Sequence, residues 1–367
     1  MLGVATLASI LAMSAPAEAA VTFNFTFTAG TSAQAQQAFI DAGNRWSTLF
    51  SDNATVNLTV GTASLAPGIL GQAASRRVSF SYTDFKTALA ADAKSAADTS
   101  AVSHLAGGSS FGMLINRTSD SPNGAGSATP YVDSSGANNS TINMTAANAR
   151  ALGLNAGSGT VGICTSNCDA GIQFNSDFAF DYDPTDGISV GEYDFVGIAT
   201  HEIGHALGFI SGVDILDINS PPLGGPFLAD QFVFVSPLDM FRYSDASGAA
   251  GVIDWTADTR AKYFSLDGGA TAGPLFSTGV NFGDGRQASH WKDSLGIGIM
   301  DPTAATGEFL SISSFDALGF DAIGWDLAGP QDVPEPASWA MMITGFAMAG
   351  GAMRLRRRGE QRRRVPA

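Results

Sequence analysis

The residues with the most specific chemistry stand together in His201-Glu202-Ile203-Gly204-His205, inside the stretch DFVGIATHEIGHALGFISGVD from Asp194 to Asp214. Side chains four apart lie one above the other on a helix face. Both imidazoles therefore reach one ion while Glu202 faces a water held by it. Zn²⁺ suits such ligands, acidifies its water and leaves that proton for a neighbouring carboxylate. The product is a nucleophile fit for a peptide carbonyl. The five-residue pattern also recurs in unrelated helices as two ordinary histidines, so its surroundings matter. Phe195, Val196, Ile198, Ala199, Ile203, Ala206 and Leu207 make the helix apolar nearly all round, which predicts burial. Buried polar groups without partners are costly, and one ion satisfies all three.

A zinc site that does chemistry takes three protein ligands and keeps a fourth position open. The chain has 4 histidines, at 104, 201, 205 and 290. His104 reads as structural. Six residues after His205 stands Ser211, whose hydroxyl is not ionised at neutral pH. Two third ligands stay open: Asp214, close in sequence, and His290, in SHWKDSLGIGIMDP shortly before Met300. The long loop that His290 requires is only a weak entropic obstacle.

The order HEIGHALGF, a long insertion, SHW, and a short loop into IMDP resembles the leishmanolysin-like branch of the metzincin zinc proteases. The resemblance covers Gly171 to Trp325 and implies zinc ligands at His201, His205 and His290. It further implies a general base at Glu202, a glycine hinge at Gly208 and a methionine turn at Met300 beneath the metal. The implied fold class is α+β, a two-lobed zincin with a mixed twisted sheet and an active-site helix. Its N-terminal lobe spans 20–210, and a C-terminal lobe over 211–330 carries the third ligand. Ser211 departs from the common short pattern. So does Pro302, where astacin-like members carry a tyrosine, and no oxyanion donor beyond the ion is named. The implied activity is endopeptidase hydrolysis of a protein or peptide substrate. The rivals are a non-catalytic surface or matrix protein stabilised by zinc, and a hydrolase of another substrate such as an ester. Glu202 counts against the first, because a purely structural site has no use for a base.

The elements around this centre follow from period and caps. Val21 to Thr28, VTFNFTFT, alternates as a strand. Ser32 caps a helix to about Phe50, with Phe39, Ile40, Ala42, Trp46 and Phe50 as its buried face. Ala54 to Val60 and Arg77 to Tyr82 read as strands, joined by a Gly/Pro/Ala connection over Leu65 to Ala74. One helix is expected from Tyr82 to about Ala97, a long loop over Thr118 to Thr141, and a short helix over Ala146 to Leu154. By the resemblance, Gly171 to Ser176 is the edge strand that pairs with an extended substrate. Asp177, Asp181, Asp183 and Asp186 crowd the next loop and offer oxygen ligands to Ca²⁺, although a solvated acidic loop is the simpler reading. Ser211 to Ser289 is the insertion. Ser311 to Trp325 reads as a closing helix, capped by Ser313 or Ser314, that braces the turn at Met300.

Composition limits the partners. The 367 residues carry a formal charge of −15, yet seven of the 19 basic residues cluster between Arg354 and Arg364. The remaining body is near −19, which repels nucleic acid and anionic membranes. Cys164 and Cys168 predict a local disulfide outside the cytoplasm. Residues 1–19 read as a signal peptide ending in Ala-Glu-Ala. Over 333–358, Val-Pro-Glu-Pro, an uncharged run and an arginine cluster follow one another. This order resembles the PEP-CTERM sorting tag of Gram-negative bacteria. It implies transient C-terminal membrane insertion, an exosortase-type partner and a secreted or cell-surface location. A permanent anchor would have the same topology.

Overall fold

A computed structural model describes residues 20–329. The signal peptide and the sorting tag lie outside the described residues. The alternation of Phe with Thr and Asn gives the first strand, Thr22–Phe27 (β1). Helix Ala33–Leu49 (α1) follows, capped by Ser32 as the sequence predicts. Strands Thr55–Ala63 (β2), Gly71–Ser75 (β3) and Arg77–Ser81 (β4) come next. The helix expected to reach Ala97 is broken into Tyr82–Asp92 (α2) and Ala96–His104 (α3). Ser95 restarts it, through a capping box with Asp98. Ile40, expected on the buried face of α1, is 36% exposed, because the stripe runs through Ala35, Ala38, Phe39, Ala42 and Trp46.

Short strands Met113–Ile115 (β5), Tyr131–Asp133 (β6) and Thr141–Thr145 (β7) precede helix Ala146–Ala151 (α4). β6 interrupts the stretch expected to be loop throughout. Ala170–Asn175 (β8) and the two-residue strands Phe180–Asp181 (β9) and Tyr193–Asp194 (β10) lead into Phe195–Leu207 (α5), which carries the histidine pair.

The main sheet has the order β1-β2-β8-β3, parallel except for β3. This corrects the expected edge strand. β8 pairs on both sides, with β2 and β3, and is interior. The edge beside α5 is β3, in the stretch expected to be a connection. Behind the sheet, α1 packs against α5: Trp46 Nε1 donates to the Thr200 carbonyl at 2.9 Å, and Phe39 meets Phe195 edge-on at 5.1 Å.

Beyond α5 come Val213–Asn219 (α6), Arg242–Tyr243 (β11), Asp245–Ala250 (α7), Ile253–Asp254 (β12), Lys262–Phe264 (β13), Leu275–Phe276 (β14) and Ser314–Ala322 (α8). β12 pairs with β5, so the insertion is tied to residues that precede the histidine helix. β11, β13 and β14 form a separate antiparallel sheet, and β4 pairs with β7. The whole is α+β, with small mixed sheets and eight helices of α type among the described residues.

Candidate metal centre

Helix α5 is fixed at both ends. Asp194 caps it, accepting from Gly197 N–H at 2.7 Å, and its second oxygen takes Leu310 N–H at 3.1 Å. Gly208 ends it with φ of 123°, a conformation that side chains with a Cβ rarely adopt. The turn at Gly208 returns the Phe209 carbonyl to His205, whose Nδ1 donates to it at 2.7 Å.

His290 joins the pair from the far end of the insertion. The Nε2 atoms of His201, His205 and His290 lie 3.1, 3.1 and 3.2 Å from one another. Each Nδ1 faces a carbonyl: Ile299 at 2.7 Å for His201, Phe209 at 2.7 Å for His205 and Gln287 at 3.2 Å for His290. A carbonyl only accepts, so each neutral ring carries its proton on Nδ1. Three Nε2 lone pairs then point at one spot with no proton between them. A cation removes that conflict. Burial lowers the pKa of all three rings, with mutual repulsion second for His205, which is held down at about 3, and for His290, well below its ordinary value. Neutral imidazole is the ligating form. These three form the single group of metal-ligating side chains that converges among the described residues, and they can hold a metal ion.

The other candidate ligands do different work. Asp214 is no ligand. Its carboxylate accepts Ala288 N–H at 2.6 Å, Ser289 N–H at 3.2 Å and the Ser289 hydroxyl. Ser211 N–H donates to the same Ser289 hydroxyl oxygen at 2.8 Å, and Ser211 Oγ donates to buried Asp239 at 2.5 Å. Both residues therefore clasp the loop that presents His290. The acidic loop does not converge on an ion either. Asp181 accepts from Asp183 and Ser189 N–H, Asp183 from Thr185, and Asp177 from Ser64, while Asp186 sits in a one-turn 3-10 helix. Asp181 and Asp183 are thus turn acceptors, and the acids weighed for Ca²⁺ form no metal-holding group among the described residues, in line with the simpler reading. His104 lies at the end of α3, bonded to the Ser100 carbonyl at 2.8 Å.

Met300 is fully buried against the histidine helix, and Gly204 makes room for it: a Cβ there would stand 2.6 Å from Met300 Sδ. Sequence reasoning did not find the residue that holds this turn. Asp316, fully buried, accepts Ile299 N–H at 2.8 Å, Met300 N–H at 3.2 Å and Trp291 Nε1–H at 2.9 Å. It also completes the capping box of α8 with Ser313. One carboxylate thereby joins the residue after His290, the turn behind His201 and the closing helix. The Ser-x-x-Asp spacing was the available signal. Cys164 and Cys168 are joined in a disulfide well away from these contacts in sequence.

The histidines open on a cleft of about 610 Å³. It is lined by Gly68 to Leu70 and the β3 residues Gly71 to Ala73, by Phe178 and Tyr193, and by Arg286, Gln287, His290, Gly298, Ile299 and Asp301 to Ala304. Glu202 lines it too and accepts no hydrogen bond from the described residues. Burial pushes its carboxyl up to about 8. Gly71 brings the edge strand close to this carboxyl: a Cβ there would lie 3.2 Å from Glu202 Oε1. No protein-family model, curated protein or solved structure matches the chain.

Proposed function

We propose that this protein is a zinc-dependent endopeptidase, its α+β fold arranged as in the metzincins with two lobes about the cleft. The observation that carries the reading is a three-imidazole cage beside a carboxylate with no hydrogen-bond partner among the described residues, both facing one cleft. A tetrahedral Zn²⁺ separates its ligand nitrogens by about 3.3–3.4 Å, close to the 3.1–3.2 Å between these Nε2 atoms. When bound, Zn²⁺ supplies a Lewis acid that polarises a carbonyl and acidifies water.

The chain's own groups do the rest. Glu202 takes the proton of the attacking water and returns it to the leaving amine. The free edge of β3 binds the substrate in extended form through backbone hydrogen bonds, which need little sequence preference. Gly71 lets that strand pass close to the base. Export by residues 1–19 and sorting by an exosortase-type enzyme at 333–358 belong to the same reading and put the activity on the cell surface or outside it.

The test is cleavage of an unfolded protein such as casein by the purified, zinc-loaded chain. Glu202→Gln should keep its zinc and lose about 10²–10⁴-fold in rate. A chelator should abolish cleavage and added zinc restore it. A parent protein that holds one zinc and cuts no polypeptide would overturn the peptidase reading in favour of a stabilising metal site.

A further inference from the structure

We infer that the cleft selects substrates bearing a carboxylate, and that Arg286 is the residue that reads it. The inference rests on the peptidase reading for its biological meaning, but not for its test. Among the described residues that line the cleft, Arg286 is the one Lys or Arg; the acids there are Glu202 and Asp301. It lines the same cleft as His290 and stands four residues before it in the chain, so its charge works against a metal cation there. A guanidinium beside a divalent site is unfavourable by itself, and it stands in a body whose charge is otherwise strongly negative.

The side chain is held, not loose. Backbone hydrogen bonding fixes its position: Gly279 N–H donates to the Arg286 carbonyl at 2.9 Å. Its Nε donates to Asp293 at 2.9 Å, and the other Asp293 oxygen takes the Thr303 hydroxyl at 3.0 Å. That chain of contacts joins the loop before His290 to the loop after Met300. The two terminal nitrogens of Arg286 have no hydrogen-bond partner among the described residues, and the side chain is 45% exposed. A fork anchored at Nε with both outer N–H groups open matches a carboxylate in two-point geometry. The carboxylate belongs to an acidic side chain of the bound peptide on the His290 side of the metal, or to the free C-terminus of a short one.

The experiment measures binding, so it does not depend on turnover. Zinc-loaded Glu202→Gln protein is titrated against fluorescein-labelled decapeptides that differ only in Glu or Gln at successive positions, each made with a free or an amidated C-terminus. The readout is the affinity ratio of each Glu peptide to its Gln twin. At one or two positions it should be about fivefold. It should fall to about one when Arg286→Gln is added, and lie between these in Arg286→Lys, whose ammonium keeps the charge without the fork. Discrimination that follows the free C-terminus supports the same carboxylate chemistry and assigns the chain end as its source. Equal binding of all peptides, no measurable binding, or a preference that survives Arg286→Gln overturns the inference. An Arg286-dependent preference in a protein whose parent cleaves nothing would sink the peptidase reading and leave the carboxylate site standing.

Discussion

Asp214→Asn separates a clasp from a ligand. In the parent, one carboxylate oxygen accepts Ala288 N–H and the other accepts Ser289 N–H and its hydroxyl. An asparagine of the same shape can keep its oxygen on Ala288 and turn its amide toward the Ser289 oxygen. Ser289 N–H is then left without an acceptor in a buried site, which costs about 1–3 kcal/mol. If that cost falls on the placement of His290, zinc binds about 5- to 150-fold more weakly. The range measured for outer partners of metal ligands, about 10–100-fold, sits inside it. Titration against a chromogenic chelator gives the affinity, and metal analysis at saturation gives the stoichiometry. Asp214→Asn should still bind one zinc, while His290→Ala should lose it under the same competition. Loss of zinc from Asp214→Asn with retention in His290→Ala would make Asp214 the ligand. An unchanged affinity in Asp214→Asn would remove the clasp.

Two further outcomes follow from packing and charge. Gly204→Ala places a methyl against Met300 Sδ and Trp46, and overpacking of about 2 kcal/mol, the middle of the usual range, less a gain of about 1 kcal/mol in helix propensity leaves a net loss of about 1 kcal/mol. Its melting temperature should fall by about 2–4 °C, and a rise would show that Met300 yields without cost. Asp52 and Asp92 are pushed up to about 7, by burial first and by Asp326 second. The fold therefore holds protons that the unfolded chain releases near pH 4, so their contribution is full below about pH 4 and is lost as pH rises through about 7. Asp52→Asn keeps an acceptor for Asp326 N–H, now at 3.0 Å, and should melt above the parent at pH 8 while matching it near pH 4. Parallel melting curves across that range would rule out Asp52 as a source of the pH dependence.

The parts of the fold that announce themselves in sequence are those governed by local rules. Helix α5 is legible because its apolar residues, its aspartate cap and its terminal glycine agree with one another, and α8 because Ser313 caps it. The edge strand is not. Gly71–Ser75, GQAAS, has no β-branched or aromatic residue, and its extended form is imposed by pairing with β8. The glycine that disguises it is the one that lets it approach Glu202. Buried carboxylates were equally hard to read. Asp214, Asp239 and Asp316 collect donors from segments far apart in the chain, and a sequence shows an acid without showing what surrounds it. Asp214 was open as a ligand for that reason. His290 needed the spacing of a known family, since 85 positions separate it from His205.

That separation has a consequence for the order in which the protein becomes active. A chain made from its N-terminus holds His201 and His205 long before His290 exists, and two imidazoles alone make a weak and open site. The third stands beside Ser289, which the Asp214 carboxylate holds, and its neighbour Trp291 is held by Asp316, which lies later in the chain. Competence is thus conferred by the last part of the folded body to be synthesised. A truncated or half-folded chain carries the base and most of the cleft but lacks a complete cage. On the proposed reading, the distant ligand would act as a safeguard in time, since a chain still being made would hold an incomplete metal cage.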